Sequence, residues 1–302
     1  LVGVWGYFKL IGFNLGVMAI LAIVTGAGWI TYMAASRSYV QTLLPPEALG
    51  AANAFIEVSL QVGMFSAGAV SGVILHTMGF TMILAINVAV FLVAIGLLHD
   101  VPTATELPTS IVPTATGAWH YVRQRPLILS VGLLSVLPLI VTQLFNVSAP
   151  DYVLTILRAN SVTYGTADMF YGIGGLTAGL ITGWLLTKRS TKSLILLFFS
   201  VAALTLLGLF VGRWVSILFV GTFVLGLSNS ALRVILGTVL MHQVAPDYMG
   251  RTTALWNGLA QFIEIFVATG MGMINDVFGA SIGFLLMGLL MLLGILWSWR
   301  VL

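Results

Sequence analysis

The chain has no cysteine, which excludes disulfides and thiolate metal sites. It also has very little charge. Twelve basic and nine acidic residues in 302 make 7% charged, against about 25% in a soluble domain. So few charges cannot cover a water-exposed surface. Apolar and polar residues do not alternate over the roughly ten-residue segments of a membrane barrel, so that class is excluded too. The four histidines lack metal-ligand spacing. The glycine-rich run Gly172–Gly183 is followed by no Lys-Ser/Thr at the required position, which argues against a phosphate loop. It reads instead as small residues that let helices approach closely. A membrane-embedded enzyme would need a nucleophile and base, or a metal cluster, at one depth, and the sequence offers neither. No cofactor is expected.

What is present is apolar sequence: 59% of residues are hydrophobic and mean hydropathy is +1.09. Runs of about twenty apolar residues recur, each long enough to cross a hydrocarbon core of roughly 30 Å as a helix. The expected fold is an all-α membrane bundle with about nine spans, at 10–36, 52–76, 79–98, 127–147, 165–187, 193–212, 214–240, 252–276 and 280–300. The interval 99–126, with Pro102, Pro108 and Pro113, reads as a linker between a three-span region, 1–98, and a six-span region, 127–302. It ends in the aromatic-basic segment Trp119–Arg125, which suits an amphipathic helix at a membrane surface.

A net charge of +3 and a pI near 9.3 would suggest nucleic acid in a soluble protein. Here the basic residues sit at span ends, so topology accounts for them, and the expected surroundings are a lipid bilayer. With the turn after the first span in the cytoplasm, Arg37, Arg123, Arg125, Lys188, Arg189, Lys192, Arg251 and Arg300 fall inside. Lys9, Arg158 and Arg213 fall outside, which satisfies the positive-inside rule.

A weak repeat runs through this apolar background at a spacing of 200 residues. Residues 44–54 read LPPEALGAANA and residues 244–254 read VAPDYMGRTTA. Pro46, Glu47, Gly50 and Ala54 fall on Pro246, Asp247, Gly250 and Ala254, and further on Gln61, Gly72 and Gly79 fall on Gln261, Gly272 and Gly279. Duplicated helical bundles with a binding site at their interface are a common plan of secondary transporters.

These segments resemble the major facilitator superfamily, in its bacterial branch with the enterobactin exporter and macrolide efflux proteins. The stretch Ser36–Phe55, SRSYVQTLLPPEALGAANAF, is similar to that branch's turn between the fourth and fifth helices. Pro246–Arg251, PDYMGR, is similar to the turn between the tenth and eleventh. Tyr164-Gly165 with Tyr171–Gly175 resembles the eighth helix. The resemblance implies that the nine spans correspond to helices four to twelve, with three helices expected before Leu1. Gly183–Lys192 would be the second-half signature loop, without its usual aspartate. Gly68–Gly72 approximates the antiporter-type Gly-Pro-x-x-Gly signature, with alanine in place of proline.

Ionisable groups inside a span are costly and point to function. Glu264 falls near the middle of its span, with Gln261 and Asn257 on the same helical face, a setting suited to proton or substrate handling. The alternative is a structural carboxyl bonded to a neighbouring helix. Glu57 lies on the matching helix, with Asn53 and Gln61 one turn to either side. A pair between Glu57 and Arg233 would join the two halves and act as an inner gate; alternatively, Arg233 snorkels to the headgroups. Arg37 is either a second gate residue or a topology anchor. Asp168 is expected to cap its helix or to line an outer vestibule. Gln143, Asn146 and Asn229 add polar points near the cavity that the resemblance implies. Together these features lead to the expectation of a multi-pass, monomeric, proton-coupled exporter of small amphipathic molecules, such as a siderophore, macrolide or drug, in a bacterial inner membrane. A nutrient importer of the same fold and a non-transporting receptor or scaffold are the alternatives.

Overall fold

The computed structural model describes residues 2–12, 14–99 and 115–301, and among these the regular structure is helical throughout. The helices are α1 (Val2–Leu10), α2 (Leu15–Leu43), α3 (Leu49–Met78), α4 (Phe80–His99), α5 (Ala115–Arg123) and α6 (Pro126–Asp151). They continue with α7 (Ser161–Lys188), α8 (Thr191–Val211), α9 (Val215–Gln243), α10 (Pro246–Phe278) and α11 (Ser281–Val301). Among the described residues eight helices are long and apolar enough to cross a membrane; α3 is a further helix of 30 residues. The linker prolines Pro102, Pro108 and Pro113 lie outside the described residues, as do the side chains of Lys9 and of Gly68–Gly72.

Local sequence sets where the helices begin and end. The expected first span, 10–36, is broken near Gly12, which takes φ +103. Asn14 then caps α2, its side chain accepting from the N–H groups of Gly16 and Val17. Asn160 caps α7 in the same way by accepting from Thr163. Asp168 is therefore well inside α7 and exposed, which corrects the capping role expected for it. Pro246 at the first position and Asp247 in the first turn start α10 six residues before its apolar run.

Helices α6 to α11 enclose one apolar core that includes Phe145, Tyr152, Phe199 and Phe284. Glycine permits the closest approach within it. A Cβ on Gly174 of α7 would stand 2.0 Å from the Phe223 carbonyl oxygen of α9, and one on Gly226 of α9 would stand 2.1 Å from that of Tyr171. On α7, Gly175, Gly179 and Gly183, spaced four residues apart, receive α3. Gln61 and Val58 lie against the first two, and Ala54 against the second and third. The glycine run is thus a helix-packing device, as its spacing predicts.

The short α5 turns Ala118, Tyr121 and Val122 inward and leaves Trp119 and His120 exposed. The Tyr121 ring stacks on Tyr248 at 4.0 Å, and its hydroxyl accepts from the Ala245 N–H at 3.0 Å. The Arg125 guanidinium sits 3.8 Å from the centre of the same ring. The amphipathic segment is therefore fastened to the turn between α9 and α10.

Candidate functional site

The two copies of the repeat build the same corner. Leu44 and Val244 are both extended, and each closes its preceding helix with an N–H to the carbonyl four residues back. Gly79 and Gly279, with φ +78 and +84, end α3 and α10. Only glycine adopts that backbone without a Cβ penalty.

These corners bring α2 and α3 against α9 and α10 through one stripe of α9: Ser230, Arg233, Val234, Gly237 and Met241. These positions recur at helical spacing, so they share a face. Gln61 donates to Ser230 Oγ at 3.1 Å and to Glu57 Oε1 at 2.9 Å. Arg233 Nη1 lies 3.4 Å from Glu57 Oε1. Asn53 Nδ2 donates to the Val234 carbonyl at 2.6 Å. Gln41 Nε2 donates to the carbonyls of Met241 and Val244, both at 2.6 Å. The geometry of Arg233 is thus the ion pair and not the snorkelling arrangement. Glu57 lies eight residues into α3, about 12 Å, and Arg233 ten residues from the end of α9, about 15 Å, so their depths agree.

Asn53, Glu57 and Gln61 are all buried, and each has a partner. This matters in an apolar bundle, where an unpaired polar group costs several kcal/mol. Arg37 of α2 reaches the same place from the other side. Its Nη1 is 2.6 Å from where a Gly237 Cβ would stand, so the missing side chain makes its room. Next to it is a small cavity of about 40 Å³ lined by Arg37, Arg233, Asn257, Ser135, Thr253 and Trp256, among others. Among the described residues the buried Nε of Arg37 and Nε1 of Trp256 have no acceptor.

Gln261 and Glu264 lie further along α10. Glu264 is eighteen residues from Pro246, about 27 Å, near the middle of that long helix. It is partly buried and, among the described residues, has no hydrogen-bond or ion-pair partner; Arg233 is the basic group that acts on it electrostatically. The structural alternative, a carboxyl bonded to a neighbouring helix, is not seen among the described residues. A second polar knot joins three helices: Asn229 Nδ2 donates to Thr142 Oγ1 at 3.3 Å and to the Tyr171 hydroxyl at 3.2 Å. Gln143 and Asn146, named from the sequence, are not members of it, and Asn146 is exposed.

Sequence reasoning did not find Ser230, Ser135, Thr253, Trp256, Thr142 or Gln41 as members of these sites. Serines and threonines in a helix most often return their hydroxyl to their own backbone, as Ser135 and Thr142 do. Ser230 carried one usable signal, since it lies one turn before Arg233 on the face opposite Glu57.

The seam continues along α2 and α10, where Gly250 lies beside the Ala34 carbonyl and Ser38. Toward the other ends of these helices, Gly26 and Gly28 of α2 and Gly258 and Gly270 of α10 have open space beside them. The polar seam therefore lies at the end that gathers the basic residues.

Comparison with known proteins agrees with this architecture. The sequence profile described as Major Facilitator Superfamily matches residues 131–302, more than half of the chain. A comparison with curated protein sequences yields no match. Among solved structures, the crystal structure of the E. coli fucose:proton symporter aligns with a TM-score of 0.75 at 11% identity, covering 99% of this chain and 79% of that one. At that identity the likeness is one of fold. A membrane bundle built from a repeated corner, with a polar seam between its parts and this profile over its second half, is a member of the Major Facilitator Superfamily of transporters.

Proposed function

We propose that this chain is a proton-coupled secondary transporter working by alternating access, which exports small amphipathic molecules across a bacterial inner membrane as a monomer. The region 1–98 and the region 127–302 are the two moving units, and residues 99–126 are the cytoplasmic linker. One observation carries the reading: the contacts made by Gln41, Asn53, Glu57 and Gln61 with α9 all lie in the inner halves of the helices. Such a seam is a closed inner gate, with Glu57–Arg233 as its latch and Arg37 beside it. Opening it exposes the latch to water, which weakens the pair and lets the units rock apart. The export direction and the amphipathic cargo rest on the resemblance of the 36–55 and 246–251 turns to the siderophore and macrolide exporters.

Glu264 is the proton site. Among the described residues this carboxyl near the middle of α10 has no hydrogen-bond partner, so its protonation follows the access of water, and access and charge are thereby linked. In inverted vesicles with an imposed proton gradient, the protein should accumulate a fluorescent amphipathic dye. Glu264→Gln should leave dye binding in place and abolish accumulation. A variant that still concentrates dye would remove Glu264 from the coupling mechanism.

A further inference from the structure

We infer that the cargo carries an anionic group, a carboxylate or an equally small oxyanion, and that this group is held between Arg37 and Asn257 in the cavity beside the latch. The inference rests on the transport reading above and names the chemistry of its substrate.

Two guanidinium groups, Arg37 and Arg233, line this cavity. One carboxylate, Glu57, meets them, and it is engaged by Arg233 at 3.4 Å and by Gln61 at 2.9 Å. Among the described residues Arg37 has neither a hydrogen bond nor an ion pair of its own, and its Nε is buried without an acceptor. The next acid, Glu264, is seven residues beyond Asn257 on α10, about 10 Å along the helix. The cavity therefore holds one positive charge more than its contacts neutralise. An uncompensated charge in an apolar bundle is expensive, and a guanidinium answers best to a planar oxyanion.

The remaining lining fits the same ligand. Asn257 and Thr253 offer side-chain donors, and among the described residues the indole N–H of Trp256 lacks an acceptor. The open volume of about 40 Å³ suits a single carboxylate-sized group and not a whole drug-sized molecule. In this closed form the cavity is thus a subsite for one end of a cargo. Its walls come from α2 on one side and from α6, α9 and α10 on the other. An anion bound there touches both moving units and so favours the inner-closed arrangement, which links cargo binding to closure.

The test is equilibrium binding to the full chain, with no gradient, of 2-naphthoate and of 2-naphthamide, which has the same shape without the charge. Tryptophan fluorescence in phosphatidylcholine nanodiscs reads both. Naphthoate should bind on the order of tenfold more tightly than the amide, the worth of one charge-assisted hydrogen-bonded contact. Arg37→Gln should bring naphthoate down to the affinity of the amide. Arg37→Lys, which keeps the charge and loses the planar fork, should retain part of the preference, and serves as the test should the glutamine variant not fold. Equal affinities in the unaltered protein, no binding of naphthoate, or a preference that survives Arg37→Gln would each overturn the inference. Loss of naphthoate binding when phosphatidylglycerol is added would assign the site to a lipid headgroup and overturn its role in cargo binding. A chain that prefers naphthoate but moves no solute in vesicles would sink the transport reading alone. Transport without any preference for the carboxylate would sink this inference alone.

Discussion

In the first copy of the repeat the chain turns through Leu44, Pro45 and Pro46 into a helix that stops at Gly79. In the second it turns through Val244, Ala245 and Pro246 into a helix that stops at Gly279. The backbones correspond at both ends, save for a 3-10 turn at Pro46–Ala48 where the second copy is already α-helical, but the side chains that meet between them do not. Glu57 has Asn257 as its counterpart, Arg233 has Met33, and Arg37 has Gly237. The latch Glu57–Arg233 would therefore have, as its counterpart across the repeat, the uncharged pair Asn257 and Met33. Both of those residues line the cavity beside it. The shared turn chemistry builds the frame twice, while charge is placed once. A symmetrical frame can open at either end, and an asymmetrical latch gives one end its own stability.

The largest effect is expected from making the first copy neutral like the second. Glu57→Gln leaves two guanidinium groups facing each other without a carboxylate. It should cost about 3–5 kcal/mol, read as a fall in thermal stability in detergent, and should stop transport. Adding Arg233→Met, the residue of the other copy, should restore most of the stability, because neutral replacement of a buried pair is often tolerated. It should not restore gated transport. A double variant as unstable as the single one would show that the pair is not the source of the cost.

A smaller effect is expected where one copy makes room for the other. Gly237→Ala would place a Cβ 2.6 Å from both Arg37 Nη1 and Asn53 Nδ2, and should cost about 1–3 kcal/mol through displaced side chains. Gly250→Ala, a glycine of the same seam whose Cβ would meet nothing closer than 3.6 Å, should be nearly silent. Equal losses at the two positions would count against a special role for Gly237.

The mildest prediction concerns the turns. Ala245 donates its N–H to Tyr121, whereas its counterpart Pro45 has no N–H to donate. Tyr121→Phe should cost about 1 kcal/mol. Ala245→Pro should cost little in that background, since Ala245 already has φ −62. Additive losses in the double-mutant cycle would mean that the bond contributes nothing.

The helices were legible in the sequence because lipid demands long apolar runs and satisfied backbone, and Gly79, Gly279, Pro46 and Pro246 punctuate them without help from the rest of the fold. Their true lengths were less so. Helix α10 reaches back to Pro246 through first turns that carry Asp247, Arg251, Thr252 and Thr253, which lie outside any long apolar run. Asp168 misled in the opposite sense: an acid near an apparent span start suggested a cap, yet the helix had begun earlier at Asn160. Glu57, Gln61, Asn53 and Arg233 stood out singly, since a charge or amide among apolar residues is conspicuous by its cost.

The pairing of these residues was a choice between two physical outcomes, and only packing decided it. A long arginine side chain reaches either the headgroups or a carboxylate, and the sequence contains no term for which helix stands opposite. That decision came from Gly175, Gly179 and Gly183, which draw α3 close enough to α7 and α9 for Glu57 to meet Arg233. The same holds for the cavity. A lipid-embedded helical bundle made from a repeated corner is already written in the residues, because composition and turn chemistry act locally. Tertiary packing alone put Arg37 in the space left by Gly237 and made it share one carboxylate, Glu57, with Arg233, because burial and neutralisation depend on residues two hundred positions apart.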